Sequence, residues 1–441
     1  MVAVPTAACR EEHSKIRQRR TRRQFLQSAA SLFPVPLIVQ AGALGAAGRP
    51  PASDRIVMGC VGSGDRGQVN IRLFLGAPEV QFVGVCDVDP NVRQRAKELI
   101  DTHYGHRDCR MYNDFRDLLD RGDLDAVDVS TPDHWHALAT IEACRRGIDV
   151  HVEKPLSLTI REGRAMVAAA RRYGRVVQTG SEARSSASCR FACELVRNGR
   201  IGRVTEVYVG GVGGPSSMEL LPAEPVPPGL DWDLWLGPAP QRPFNRRYHP
   251  FQWRSYYDFS GGGLTDWGAH HFDLTQWALG TDDTGPIRII PPDGREHKFL
   301  TLEYASGVRV YHVLHGRPEV ETLGAVTAVG TRGRVGFSYG GLAKTDPPAL
   351  AKEVIGPDEI QLYRCPPGGH ERGDFLTATR TRRRPGADVE IGHRSVSVCH
   401  LAHIAYRLQR PLRWDPVREE FPGDETANRF LGREMREPWR L

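Results

Sequence analysis

The chain has 441 residues, too many for one ordinary hydrophobic core, so two domains are expected. With 40% hydrophobic and 25% charged residues it reads as a soluble globular protein rather than a disordered or membrane-embedded one. The net charge of +6 does not signal a nucleic-acid partner: residues 1–48 hold seven basic residues against Glu11 and Glu12, a net +5, which leaves about +1 for the rest.

At the N-terminus, "TRRQFLQ" (21–27) sets a twin arginine before Phe25 and Leu26, and a modestly apolar run ending in small residues follows. Pro34, Pro36 and Gln40 interrupt that run, which contains no stretch of about 18 unbroken apolar residues, so a membrane span is not expected. The segment resembles a bacterial twin-arginine (Tat) export signal, with cleavage expected after "AGA" (41–43). That resemblance implies the Tat machinery as a partner, export in the folded state with cofactor already bound, and a periplasmic destination. An Arg-rich tail without an address is the plain alternative. Losing Cys9 with this leader leaves eight cysteines, with no C-x-x-C pair and no His–Cys zinc spacing, and no disulfide framework is read from them.

Next, "RIVMGCVGSGDRGQVNIRLFL" (55–75) begins as a short apolar strand, turns through Gly62, Gly64 and Gly67 as G-x-G-x-x-G, and continues as an amphipathic helix. The three glycines suit a tight turn, close backbone approach to a pyrophosphate, and close helix–strand packing. The phosphates would rest at the positive N-terminus of that helix. A second strand (80–89) ends at Asp87, twenty residues after Gly67, where a carboxylate meets the ribose hydroxyls of NAD and repels the extra phosphate of NADP. NAD is therefore expected over NADP, and a simple strand-end turn residue is the structural alternative for Asp87. Helix and strand patterns alternate onward through residue 180, which implies parallel βαβ units with ligand at the carboxyl ends of the strands. "STPDHWH" and "EKP" fall at that edge. The candidate cofactor contacts are Gly62, Ser63, Gly64, Arg66, Gly67, Asp87, Thr131, Pro132, His136, Glu153 and Lys154. His136 could equally begin the next helix.

In this order, "GSGDRG", "CDVDP", "STPDHWHA" and "EKPLSLT" resemble the Gfo/Idh/MocA oxidoreductase family, relatives of glucose–fructose oxidoreductase and inositol dehydrogenase that use NAD or NADP. The likeness continues in "GLDWDLWLGPAP" (229–240), "GGGLTDWGAHHFDLTQWALG" (261–280) and "RPLRWDP" (410–416), nearly to the end of the chain. It implies an α/β architecture: after a leader over 1–48, a Rossmann parallel-sheet domain over 54–180, then an α+β substrate domain over 181–441 with a large, mostly antiparallel open sheet. Valine-rich, alternating stretches at 204–214 and 308–316 suit that sheet. The sheet offers a surface for homo-oligomers, and a late helix (393–412) is expected near the domain junction.

Nine aromatics lie between 232 and 259. They anchor a proline-rich loop, or form a stacking wall for the apolar face of a sugar; both roles are open. In "TDWGAHHFDL" (265–274), Asp266, His270 and Asp273 are spaced to share one helix face, with His271 about a third of a turn away. No second cluster completes a ligand set and H-E-x-x-H is absent, so no metal is expected. The family resemblance implies instead that Lys154, Asp266 and His270 are catalytic. His270 would take the hydroxyl proton, Asp266 would orient and support its imidazolium, and Lys154 would stabilise developing alkoxide charge. A structural ion pair is the alternative for Lys154. The function implied is an NAD(P)-dependent oxidoreductase with a tightly held cofactor, acting on a sugar, polyol or glycoside hydroxyl. An NAD-dependent glycosidase or lyase, working by transient oxidation and elimination, is the alternative.

Overall fold

Short strands buried on both faces, apolar apart from Asp128, Asp149 and His151, give the first sheet its centre. Its members are β1 (Ile56–Val61), β2 (Val80–Cys86), β3 (Arg110–Tyr112), β4 (Ala126–Val129), β5 (Asp149–Val152) and β6 (Val177–Thr179). They stand in the order β3-β2-β1-β4-β5-β6 and all pair in parallel. The crossovers carry α1 (Asp65–Leu75), α2 (Pro90–Tyr104), α3 (Phe115–Leu119), α4 (Asp133–Arg145) and α5 (Ile160–Arg172). Strand order reverses between β1 and β4, the point at which such sheets open a ligand crevice beyond the strand ends. The computed structural model describes residues 50–314, 321–365 and 370–441; the twin-arginine segment, its cleavage site and Cys9 lie outside them.

The second half brings α6 (Ala187–Arg197), β7 (Val204–Val209), α7 (Trp232–Leu236), α8 (Gly263–Asp266) and α9 (Gly268–Leu279). Then come β8 (Arg288–Ile290), β9 (Leu300–Glu303), β10 (Arg309–His312), β11 (Val326–Gly330), β12 (Gly333–Ser338) and β13 (Gly341–Asp346). The chain closes with α10 (Glu371–Thr381), α11 (Val389–Leu408), β14 (Leu412–Arg413) and α12 (Glu425–Asn428). Eight strands form one sheet in the order β13-β12-β11-β7-β10-β9-β8-β14, antiparallel except for β7 against β10. Phe272, Leu274 and Trp277 of α9 and Leu401 and Ile404 of α11 share a core with Val207, Val310 and Val326 of this sheet.

Residues Asp54–Leu441 pack as one compact unit, and the late chain returns to the first sheet. Phe375 and Leu376 of α10 join Ile56, Met58, Phe74 and Phe82 on one of its faces. Val389 and Val396 of α11 join the other. A charge follows them inside. Asp128 of β4 and His151 of β5 are paired in register and bonded at 2.6 Å, and Glu371 of α10 meets the other ring nitrogen. Burial opposes a cation there, but Glu371 and Asp128 outweigh it and hold His151 protonated, its pKa raised to about 10.

Candidate active site

Each glycine of the first turn has a distinct geometric task. Gly62 has φ +82°, and a Cβ on it would lie 2.5 Å from the Thr131 nitrogen. A Cβ on Gly67 would lie 2.2 Å from the Gly62 carbonyl oxygen, so only glycine lets α1 pack this close to the turn. At Gly64, the N-cap of α1, a Cβ would meet nothing within 4 Å. Open space thus faces the helix N-terminus where a diphosphate would sit. Ser63 Oγ and Thr131 Oγ1 are buried beside it without partners. Asp87 accepts from the Ser63 nitrogen at 2.9 Å and the Asp89 nitrogen at 3.1 Å. Burial pushes its carboxyl up to about 6 against those donors. The cradle fits a dinucleotide, with Gly62, Gly64, Asp87, Thr131 and Pro132 lining one cleft.

A strap from the second half roofs that cleft. Leu234, Trp235, His249, Pro250 and Phe251 line it from the opposite side. The strap is fastened to the rim of the first sheet: Asn113 Nδ2 donates to Asp231 at 2.8 Å, the Asp231 nitrogen to Val88 O at 3.2 Å, and Trp135 Nε1 to Trp235 O at 3.1 Å. His249 stands 3.5 Å from Asp89. Trp232, Trp235, Phe244, Tyr248, Trp253, Tyr256 and Phe259 form the strap's own core, so seven of the nine aromatics anchor the loop. Phe251 is exposed and lines the cleft.

A second pocket adjoins the first and shares Arg66, Ser130, Thr131, Trp253 and Arg254 with it. Lys154, Asp266 and His270 all line it. Lys154 Nζ donates to Asp266 Oδ1 at 2.6 Å and to the Asp266 carbonyl at 2.9 Å. Burial works against the Asp266 carboxylate, but the Lys154 ammonium outweighs it and holds its carboxyl below the usual value. His270 is 8% exposed, and its Nδ1 has no partner. Burial, then the Lys154 charge, pushes the imidazole down to about 3, so it is neutral across the physiological range. The Tyr339 ring lies 4.7 Å from the His270 ring, and its hydroxyl donates to Glu182. Glu182 in turn accepts from Arg66 at 2.6 Å and Arg372 at 2.8 Å.

Several expectations are corrected. Asp266 pairs with Lys154 rather than supporting the His270 ring, because the ammonium is the stronger donor within its reach. One helix face does not carry Asp266, His270 and Asp273 together: the helix breaks at Trp267, and Asp273 is buried against Arg184 and Ser395. His271 Nδ1 donates to Gly210 O at 2.9 Å as part of the packing. His136 does not line the cofactor cleft; its ring nitrogens sit 2.9 Å from Thr131 O and 2.8 Å from Pro155 O, bracing the two strand-end loops from behind. Arg66 lines the cleft with its Nε committed to Glu153 at 2.5 Å and a terminal nitrogen to Glu182, so its charge is already matched. Glu153 also accepts from Asn70 at 3.0 Å. Among the described residues no group of three or more His, Cys, Asp or Glu is placed to hold a metal, and the cysteines are free.

Sequence reasoning missed Glu182, Arg254, Trp267 and Tyr339, and it reached Trp253 only as one of nine aromatics in the loop. Tyr339 and Glu182 carry no local signal, since each reaches the pocket only when the second sheet meets the first. Trp267 lies inside the recognisable "TDWGAHHFDL" stretch, and Arg254 is one of four arginines in the aromatic loop, with nothing local to single it out.

A parallel nucleotide-binding sheet joined to an open antiparallel sheet, with a Lys–Asp–His group at their meeting edge, defines a dinucleotide-dependent oxidoreductase fold. The family models agree: the oxidoreductase family's NAD-binding Rossmann fold matches residues 56–181 and its C-terminal α/β domain matches residues 194–441. The chain belongs to the Gfo/Idh/MocA oxidoreductase family. It is similar to the uncharacterized oxidoreductase YrbE of Bacillus subtilis, 25% identical over 230 residues, 52% of this chain and 55% of that protein. A glycosyl hydrolase family 109 protein of Saccharopolyspora erythraea is 36% identical over 115 residues, 25% of each chain. The chain thus spans about half or less of the length of these curated relatives. In fold it is similar to the WlbA dehydrogenase of Bordetella pertussis, with TM-score 0.58 and 19% identity, covering 82% of this chain and 99% of that one. The aldose-aldose oxidoreductase of Caulobacter crescentus gives TM-score 0.55 and 19% identity over 81% and 99%.

Proposed function

We propose that the protein is an NAD-dependent oxidoreductase acting on a hydroxyl of a sugar, polyol or glycoside, with the dinucleotide kept through turnover. One observation carries this reading: an ammonium fixed by a carboxylate stands beside a neutral buried imidazole, in a pocket that opens into the dinucleotide cleft. A bound nicotinamide supplies the two-electron redox chemistry. Lys154, a donor only, holds and polarises the reacting oxygen. Asp266 keeps that ammonium aimed. His270 is neutral and is the group free to accept the hydroxyl proton. Burial of its ring excludes water from the transfer.

The roofing strap supports retention of the cofactor, and retention implies a closed cycle in which one substrate is oxidised and another, or the same one, is reduced. Asp87 supports NAD over NADP, since a carboxylate at the ribose position repels a further phosphate. The WlbA neighbour, solved with NADH and UDP-GlcNAcA, is consistent with a sugar ligand. The family 109 relatives favour a second reading, a glycosidase that oxidises transiently, but their match is confined to a quarter or a third of their length.

The test is to purify the protein, release and identify its dinucleotide, titrate NAD against NADP, and screen sugars and polyols with product analysis. Bound NAD that becomes reduced on adding a sugar is expected. Tighter binding of NADP would remove the role given to Asp87. Free sugar released from a glycoside without net reduction of NAD would favour the glycosidase.

A further inference from the structure

Arg254 is the one charged side chain of the reaction pocket, among the described residues, whose donors are left open to a ligand. The other cations there are matched: Arg66 by Glu153 and Glu182, Lys154 by Asp266. Arg254 makes no ion pair; a single terminal nitrogen reaches the Phe251 carbonyl of its own strap at 3.3 Å. The remaining pocket carboxyl, Asp133, is buried and makes no ion pair with it, although the Arg254 charge acts on both Asp133 and Asp266 from a distance. Yet the guanidinium is held in place, its carbon 4.2 Å from the Trp253 ring centre and 4.7 Å from that of Phe251. A planar cation stacked on aromatics, half-buried and with its Nε and second terminal nitrogen still open, is pre-organised for two parallel bonds to one planar anion.

We propose that Arg254 receives a carboxylate of the substrate, so that the pocket takes an acidic sugar, a uronate or aldonate, rather than a neutral one. The proposal rests on the oxidoreductase reading of the same pocket. One cation with open donors fits one carboxylate; a phosphate dianion would call on further cations, and those present are already paired. Stacking fixes the guanidinium plane, and the bidentate contact would then fix the sugar relative to Lys154 and His270. Substrate selection and reaction geometry would share one residue.

The experiment uses the full-length protein with whatever dinucleotide it carries. Calorimetric titration compares glucuronate, galacturonate and gluconate with glucose, galactose, sorbitol and the uronate methyl esters. At least one acid should bind about tenfold or more tighter than its neutral counterpart and its ester, the worth of a charge-assisted bond. Arg254→Gln should remove that preference, lowering the acid-to-neutral affinity ratio by roughly 10- to 100-fold. Arg254→Lys keeps the charge without the fork and should restore only part of it. Acids that bind no tighter than neutral sugars across the panel would overturn the proposal. So would an Arg254→Gln protein that loses dinucleotide with an unchanged acid-to-neutral ratio, since the guanidinium would then serve the cofactor. The near-ultraviolet absorbance of reduced nicotinamide, followed in the same samples, separates the two readings. Acid binding with no redox change for any sugar would retire the oxidoreductase reading and leave the carboxylate receptor standing.

Discussion

An i, i+4 spacing puts Asp266 near His270, yet the carboxylate closes on Lys154 instead. The difference changes what each residue can do. With Asp266 on the ammonium, Lys154 is held in place, while burial and then the Lys154 charge leave His270 neutral with a strong bias against protonation. Its proton acceptance is then favourable only while negative charge develops on an oxygen beside Lys154, which couples the two side chains in a single step. Lys154→Ala and His270→Ala should each slow the chemical step by roughly 10²–10⁴-fold, the range for losing charge stabilisation or general-base help. Dinucleotide content should survive His270→Ala, because that residue lines the reaction pocket and not the dinucleotide cleft. Single-turnover kinetics of the resident dinucleotide would check this. A His270→Ala protein with an unchanged chemical step would take the base away from this residue.

At the scale of elements, the first sheet was readable because its signals are local: an apolar strand, three glycines at fixed spacing, and a carboxylate at the next strand end. Lys154, Asp266 and His270 were singled out together through the resemblance, with the pairing inside the group hidden because Lys154 and Asp266 lie 112 residues apart. The edge strand β3, exposed over two of its three residues, gave no hydrophobic pattern to read. The return of α10 beneath the first sheet was equally silent, since Phe375 and Leu376 look like any amphipathic helix until their partners are known. The strap is the clearest case. Its aromatic content was visible, but its role as a roof depends on contacts to Asn113, Trp135 and Val88 that only the assembled fold supplies. Unfastening it should therefore act on dinucleotide release. Asn113→Ala combined with His249→Ala removes two ties while sparing Asp231, which caps α7 through the Leu234 nitrogen at 3.0 Å. A release rate about tenfold faster, the worth of one or two hydrogen bonds, is expected in a dilution chase. An unchanged rate would mean that the strap covers the cleft without holding its contents.

For the molecule as a whole, the buried histidines set an acid limit. Burial pushes His134, His270 and His400 down to about 3, and His312 and His403 down to about 4. In the unfolded chain each titrates near 6.5, so below that pH the unfolded state binds more protons. Stability then falls as pH falls, by up to about 1.4 kcal/mol per pH unit for each such group. Asp87 and Asp133, both raised to about 6 by burial, act the other way, because the folded state takes up their protons first. Burial raises Asp273 as well, and three carboxyls do not cancel five imidazoles. Glu182 and Glu390, lowered to about 2 against burial by their hydrogen-bonded partners, begin to lose their contribution only below about 4.5. His151 has the opposite sign: raised to about 10, its contribution is complete below 6.5 and is lost as pH rises through 10. The melting temperature should therefore fall between pH 6.5 and 4.5, before the ion-paired carboxylates titrate, and fall again toward pH 10. Calorimetric melts across that range check both limbs. A melting temperature that held level or rose from pH 6.5 to 4.5 would show that these histidines do not stay neutral in the folded protein, and His270 would lose its standing as a neutral base.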